Sequence, residues 1–427
     1  MNNKENEISG IKQPKTLNNI EIMAPTGNFE CLMAAIQGGA NSVYFGVENL
    51  NMRSRSANNF KAGQLAEIAQ ICKSNGIKSY LTLNVVMYDA DLDDMHKIIE
   101  EAKAAEIDAV IASDQAVINF ARRCGVEVHI STQLNISNME ALKFYACYAD
   151  VVVLARELNL QQVAEIHRQI CEQQIKGPGG NLVKLEMFAH GALCMSISGK
   201  CYLSLHEYNF SANRGTCLQT CRRAYTVTDR ETGAQLEIDN EYIMSPKDLC
   251  TIGFLDEMID AGVSVFKIEG RARSAEYVKT VCRCYREAIE SIAEGTYSKQ
   301  KTDEWMRQLG NVFNRGFWNG YYLGQRLGEW SKAYGNQSPK RRVYVAKCTN
   351  FFGNLGVAEF LIEADVLSRG DEIIITGATT GVVEQTIEEI RVDLKPIDKA
   401  GKGLYCSIRT MEKVRRGDKL YRITTQP

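Results

Sequence analysis

The sequence predicts a (β/α)8 barrel of the TIM type, interrupted after its seventh strand by a cysteine-bearing insertion and followed by a small β-barrel domain. Three observations carry this expectation. Eight short apolar runs alternate with helix-length segments between residues 20 and 270. The seventh and eighth runs are separated by about seventy residues, far more than an ordinary βα loop. Past Pro339 the pattern shortens to β-like runs broken by Gly-Asp turns.

Taken in order, residues 1–19 are polar, with Lys4, Glu5 and Glu7 and no apolar centre. They read as a flexible tail, not as a signal peptide. A barrel domain is expected over residues 20–338. Its strand candidates are Glu21–Ala24, Ser42–Val47, Ser79–Val86, Asp108–Ser113, Glu127–Ser131, Asp150–Ala155, Lys184–Ala189 and Val263–Glu269. Segments such as Phe29–Gly38 and Leu92–Ala105 lie between them with helical spacing, and Gly38-Gly39, Gly76, Gly125 and Gly262 break the pattern. An open doubly wound sheet is the competing arrangement. Residues 270–335 read as helical, most clearly Ser274–Ala293, and Tyr321, Tyr322 and Trp330 read as packing aromatics. Residues 339–427 form the second domain, with runs at Arg342–Cys348, Gly356–Phe360, Asp371–Thr376, Gly403–Arg409 and Lys419–Ile423. The turns Leu367–Asp371 and Val414–Asp418 echo each other and suit a small closed barrel.

Composition narrows the function classes. A net charge of −2 provides no global field toward nucleic acid or membrane, so any RNA contact has to rest on local basic patches. No apolar run approaches the length of a membrane span. With no export signal, the 14 cysteines are expected in the reducing cytoplasm, where thiols stay free.

Four of those thiols, Cys194, Cys201, Cys217 and Cys221, fall within Glu186–Arg223 among Gly, Ser and Thr. A loop that gathers thiolates around soft iron or zinc needs this mixture. Spacing alone does not separate zinc from iron–sulfur, and the competing reading is four small buried hydrophobes. In a barrel the insertion stands at the mouth, beside the end of strand eight. Residues just past the strands converge there: Asn84, Asp114, Thr132, Gln133, Arg156, Glu157, His190, Lys267, Glu269 and Arg271. Arg53, Arg55 and Arg273 lie on adjoining loops. Arg53, Arg55, Arg156, Arg271 and Arg273 are the candidates to grip an anionic substrate, since guanidinium pairs bidentately with carboxylate or phosphate. His190 and Glu269 are the candidate catalytic residues, and His190 is equally a candidate ligand or loop-orienting group.

The run Glu186-x-Phe188-x-x-Gly191-Ala192-Leu193-Cys194-x4-Gly199-x-Cys201-x-Leu203-Ser204 resembles the signature of the peptidase U32 family. Asn213-Arg214-Gly215-x-Cys217-x3-Cys221-Arg222, Ser245–Leu249, Lys267–Arg271, Phe313–Phe317 and Ala24–Asn28 are similar to further stretches of that family, in its order. The second domain resembles domain two of elongation factor Tu. The U32 resemblance implies oxygen-independent hydroxylation of the tRNA wobble uridine to 5-hydroxyuridine, or of large-subunit rRNA. Prephenate is the implied cosubstrate, a small dicarboxylate suited to the arginine basin. It implies a 4Fe–4S cluster on Cys194, Cys201, Cys217 and Cys221, with Cys250 in reserve for the fourth place and zinc as the alternative. Arg222-Arg223, Lys340-Arg341-Arg342 and Arg415-Arg416 are candidates for an RNA backbone. The family name implies proteolysis, yet neither His-Glu-x-x-His nor Gly-x-Ser-x-Gly occurs. A collagenase-like protease and a non-catalytic RNA- or protein-binding scaffold are the alternatives. Homo- and hetero-oligomers are both compatible with the chain.

Overall fold

Each of the eight apolar runs becomes a parallel strand, because a strand covered on both faces needs little but apolar side chains. A computed structural model describes residues 17, 19–55, 58–223, 225–238, 245–326, 328–331 and 335–425. Apart from Leu17 and Asn19, the expected tail lies outside the described residues. Strands β1 (Glu21–Pro25), β2 (Ser42–Phe45), β3 (Lys78–Leu83), β4 (Ala109–Ala112), β5 (Glu127–Ile130), β6 (Val151–Val153) and β7 (Lys184–Ala192) pair in sequence order. The insertion then contributes a hairpin, β8 (Tyr225–Thr228) and β9 (Gln235–Ile238), and a short strand β10 (Asp248–Cys250). β11 (Val263–Ile268) closes the barrel, pairing in parallel with β7 on one side and β1 on the other. The open-sheet alternative is thereby excluded.

Helices begin where the loops supply a cap. Asn28, Asp114, Asn138 and Asn159 accept from backbone N–H groups at the starts of Phe29–Gln37, Gln115–Arg123, Met139–Ala146 and Leu160–Glu172. Their apolar faces pack on the strands in one large core. Inside the barrel a separate cluster of Met23, Tyr44, Tyr80, Ala109, Ile111, Val151 and Val265 fills the axis, so the floor is solid and only the mouth is open. The helix Ala275–Ala293 lies against Phe29–Gln37. Of the three expected packing aromatics, Tyr322 is buried with its hydroxyl donating to the Phe188 carbonyl at 3.0 Å.

Strand β12 (Phe317–Trp318) extends the first sheet by pairing with β10. The rest of the chain forms an eight-stranded antiparallel sheet in the order β17-β16-β22-β13-β14-β21-β18-β19. Its strands are β13 (Lys340–Phe352), β14 (Val357–Ile362), β16 (Glu372–Gly377), β17 (Gly381–Thr386), β18 (Ile390–Val392), β19 (Lys395–Ile397), β21 (Tyr405–Arg409) and β22 (Lys419–Thr425), with a small ladder of β15 (Leu367–Ser368) and β20 (Lys399–Ala400) beside them. Val345, Phe360, Ile375, Val383, Ile390, Cys406 and Leu420 meet in a core of their own. Contact with the barrel is both apolar and polar: Ile374 and Val382 are buried in the barrel's core with Ile423 packed against it, the Gln37 amide bonds both Thr380 and Val382 backbone groups, and Lys279 reaches the Val382 carbonyl at 2.9 Å. Among the described residues no helix is long and apolar enough to cross a membrane.

Candidate functional site

At the carboxyl ends of the strands a cavity of about 290 Å³ opens between the barrel and the insertion. The barrel side is a set of charges that arrive already partnered. Glu269, one residue past β11, accepts from Arg53 at 2.6 Å, from the Gly270 N–H at 2.9 Å and from the Tyr44 hydroxyl at 3.2 Å. Burial alone would raise its pKa, but Arg53 and Arg271 outweigh burial and hold it at about 2. Arg271 is 4% exposed and donates to the Thr82 hydroxyl at 3.1 Å; burial draws it down to about 10, so it stays charged at neutral pH. Deeper still, Lys267 pairs with buried Glu186 at 2.7 Å and sits 4.6 Å from the centre of the Tyr44 ring.

The insertion side is built differently. Gly191, in β7, has φ of +103° and passes so close to Glu269 that a β-carbon would collide with its carbonyl oxygen. Beyond it the chain has one short helix, Leu203–Tyr208, and the single turns Ala212–Arg214 and Thr220–Arg222. Arg156 and Asn135 tether it by donating to the carbonyls of Ser196 and Ser198, at 3.1 and 2.9 Å. Cys194, Cys201, Cys217 and Cys221 all line the same cavity. Burial pushes Cys221 up to about 11 against the opposing pull of Arg222, and the other three thiols push in the same direction as burial. Burial and the neighbouring Cys194 and Cys217 likewise raise Cys201. The four sulfurs thus share one electrostatic neighbourhood, although among the described residues no three metal-binding side chains are drawn together as a ligand set. An all-sulfur donor set on mostly irregular chain fits a soft metal group, because Cys194, Cys201 and Cys217 have no regular backbone pairing to break as a thiol moves inward.

Residues 27–332 match the profile of peptidase family U32. The chain belongs to this family. A collagenase of Porphyromonas gingivalis strain W83 is 61% identical over 406 residues, covering 95% of this chain and 98% of its own length. The tRNA hydroxylation protein P1 of Bacillus subtilis strain 168 is 32% identical over 378 residues, covering 87% and 86% respectively. A 23S rRNA 5-hydroxycytidine synthase of Escherichia coli strain K12 is 34% identical over 276 residues, or 64% of this chain and 40% of its own.

Within this U32 cavity, Arg53, Arg156, His190, Glu269, Arg271 and Arg273 take their places in the wall together with the four cysteines. Neither candidate catalytic residue is tuned for proton transfer near neutrality. Glu269 is a fixed anion, a weak base that orients Arg53. His190 is ringed by Tyr277, Tyr285 and Phe317 at 5.5 to 6.0 Å, and burial, reinforced by Arg273, lowers its pKa to about 3. Its ring is therefore neutral, and neither nitrogen has a hydrogen-bond partner among the described residues.

Several expectations need correction. Arg55 is exposed, over the Phe210 ring at 5.1 Å, and is not part of the wall. Asp114 caps a helix and, like Glu157, is absent from the wall. Cys250 is no reserve ligand: its sulfur faces the core, 3.5 Å from that of Met306. Arg222 is not an RNA-facing surface group but props the insertion from beneath, donating to Leu193, Ser245 and Pro246. Lys340 and Arg342 pair with Glu372 and Glu276, and Arg415 with the Thr380 hydroxyl. The wall also contains residues that spacing does not mark, among them Tyr44, hidden inside an apolar run, and Arg315, 3.4 Å from Asp248. The Phe313–Phe317 motif was the signal that pointed toward Arg315.

Proposed function

We propose that this protein is an RNA-modifying hydroxylase that converts a tRNA wobble uridine to 5-hydroxyuridine without molecular oxygen, in the cytoplasm. One observation carries the reading: four thiols share one cavity with arginines that are already partnered, Arg53 by Glu269 and Arg271 by Thr82. A base and an oxygen donor need to be held together there. Arg156, Arg271 and Arg273 are suited to a small dicarboxylate, for which prephenate is the candidate, because each guanidinium is fixed before the ligand arrives. Neutral His190 offers an unpartnered imidazole for a hydrogen bond to a polar ligand atom. Tyr44 and Lys267 line the deep end, where water is scarce. Cys194, Cys201, Cys217 and Cys221 would hold a 4Fe–4S cluster, which supplies one-electron chemistry when bound. Relatives named for tRNA and rRNA hydroxylation, at 32% and 34% identity, support an RNA substrate.

A protease is the second reading, favoured by the name of the 61% identical collagenase. Weighing against it, no histidine nitrogen among the described residues contacts a cavity thiol or serine. The histidine–sulfur contact that is present, His167 with exposed Cys171, lies on the helix Leu160–Glu172 and outside the cavity wall. Nucleoside mass spectrometry of RNA from a deletion strain decides between them. Loss of a 5-hydroxyuridine-type nucleoside is expected. Unchanged RNA, together with collagen cleavage by the purified protein, overturns the proposal in favour of the protease. Complementation of the deletion by a Cys201→Ser variant would instead make the chain a scaffold.

A further inference from the structure

The rim of the cavity has a composition that neither the cluster nor the arginine floor explains. Three loops form it: the segment after β2, the segment after β3, and the insertion. They are fastened to one another, since Ser54 donates to the Gly215 carbonyl at 3.2 Å and the Val86 N–H to the Asn213 carbonyl at 3.1 Å. On this rim three aromatic rings each carry a guanidinium. Arg214 lies 3.9 Å from the centre of Tyr88, Arg55 lies 5.1 Å from Phe210, and Arg223 lies 5.1 Å from Tyr208. The rings nevertheless remain 59%, 41% and 40% exposed. Packing aromatics would be covered, and cations meant only for solvent would not need rings. Between rim and cavity stand Met195 and Ile197, exposed and also part of the cavity wall.

Charge identifies the occupant. Arg222 being turned beneath the insertion, residues 193–223 offer Lys200, Arg214 and Arg223 against a single Glu207, a local excess of two positive charges on a chain whose net charge is −2. Asp91, paired with Arg214, and Asp89 are the anions of the segment after β3, while Arg55 and Lys61 outnumber Glu48 on the segment after β2. Exposed rings bearing arginines on a locally cationic surface match single-stranded nucleic acid, whose bases stack on the rings while its phosphates meet the cations. A duplex hides those base faces, and a peptide requires no such excess of charge.

We infer that this rim is a stacking platform for the unpaired nucleotides that flank the base entering the cavity, with Tyr88, Tyr208 and Phe210 as the stacking faces. The inference rests on the RNA reading above and adds where and in what form the RNA binds. The test uses the full-length, cluster-loaded protein and a fluorescein-labelled RNA hairpin with an open loop, compared with the same sequence closed as a duplex. Anisotropy is expected to show the hairpin bound more tightly than the duplex. Tyr208→Leu and Phe210→Leu, which keep apolar bulk but remove the ring, should each weaken hairpin binding about tenfold. In Tyr208→Trp, hairpin RNA should quench the new indole fluorescence and duplex should not, a readout that does not depend on the Leu variants folding well. Equal hairpin binding in wild type and both Leu variants, without quenching, removes the platform while leaving the RNA reading in place. Absence of RNA binding by the wild type removes both.

Discussion

The two walls of the cavity are made on opposite principles. On the barrel side the charged groups are locked by neighbours before any ligand arrives: Glu269 by Arg53, Tyr44 and a backbone N–H, Lys267 by Glu186, and Arg271 by Thr82. On the insertion side the four thiols stand on irregular chain, with only Cys221 inside a single turn; they line one cavity but, among the described residues, are not gathered into a ligand set. The difference teaches where order comes from. A rigid strand end can fix an ion pair against the cost of burying it. The insertion, with one short helix, is held by single tethers such as Arg156 to Ser196 and Arg222 to Leu193, which leave its thiols more room to move.

This contrast is open to attack, beginning with the largest effect. Replacing Cys194 or Cys201 by Ser should abolish the proposed cluster, with iron expected to fall from about four per chain to background. Prephenate affinity, which depends on the barrel wall, should survive in the same variant; iron analysis and calorimetry read the two walls separately. Next, Glu186→Gln should destabilise the fold by roughly 3–5 kcal/mol in urea unfolding, because Lys267 is left as a buried, unpaired cation. Lys267→Met added to it should recover much of the loss.

The third prediction concerns pH. The pKa of Glu269 is about 2 in the folded chain against an ordinary 4.5. A depressed carboxylate adds stability that is fully present above the unfolded value and disappears as pH falls through the folded one. Its contribution, on the order of 3 kcal/mol, should therefore fade below about pH 4.5 and vanish near about pH 2. Urea midpoints of wild type and Glu269→Gln should converge over that window, and a constant gap would count against the network. Smaller again, Arg156→Ala should weaken prephenate binding by about 1.5–3 kcal/mol, with Lys restoring only part. Arg55→Ala, outside the wall, should leave that affinity unchanged.

The eight barrel strands were legible because burial on both faces writes itself as a run, as in Val151–Val153. β10 was not legible. Its three residues, Asp-Leu-Cys, are a strand only because β7 offers its edge, and that pairing is invisible to a local pattern. The same strand explains the error over Cys250: alternation turns Leu249 toward the cavity and its neighbours away. β17 is not legible because only Val382 and Val383 of its six residues are apolar, and β18 because it has three residues. The four cysteines were readable from their spacing, whereas the direction of Arg55 depends on how its loop folds onto Phe210. Arg222 looked like surface charge beside Arg223, and only the packing of the insertion over Leu193 and Pro246 shows it underneath.

The ladder between β7 and β10 pairs Asp248 with Ala192 and Leu249 with Gly191, bringing the two ends of the insertion side by side. Such a neck insulates the barrel from the length of what it carries. Once the ends are joined, doubling a flexible loop costs only about 0.6 kcal/mol in closure entropy. The segment between Leu193 and Lys247 can therefore lengthen, shorten or exchange its hairpin from one U32 chain to another without repositioning Glu269, Arg271 or the barrel floor. The insertion can vary while the partnered charges of the barrel wall stay where they are, so the neck is also the natural joint at which to graft one relative's insertion onto another's barrel.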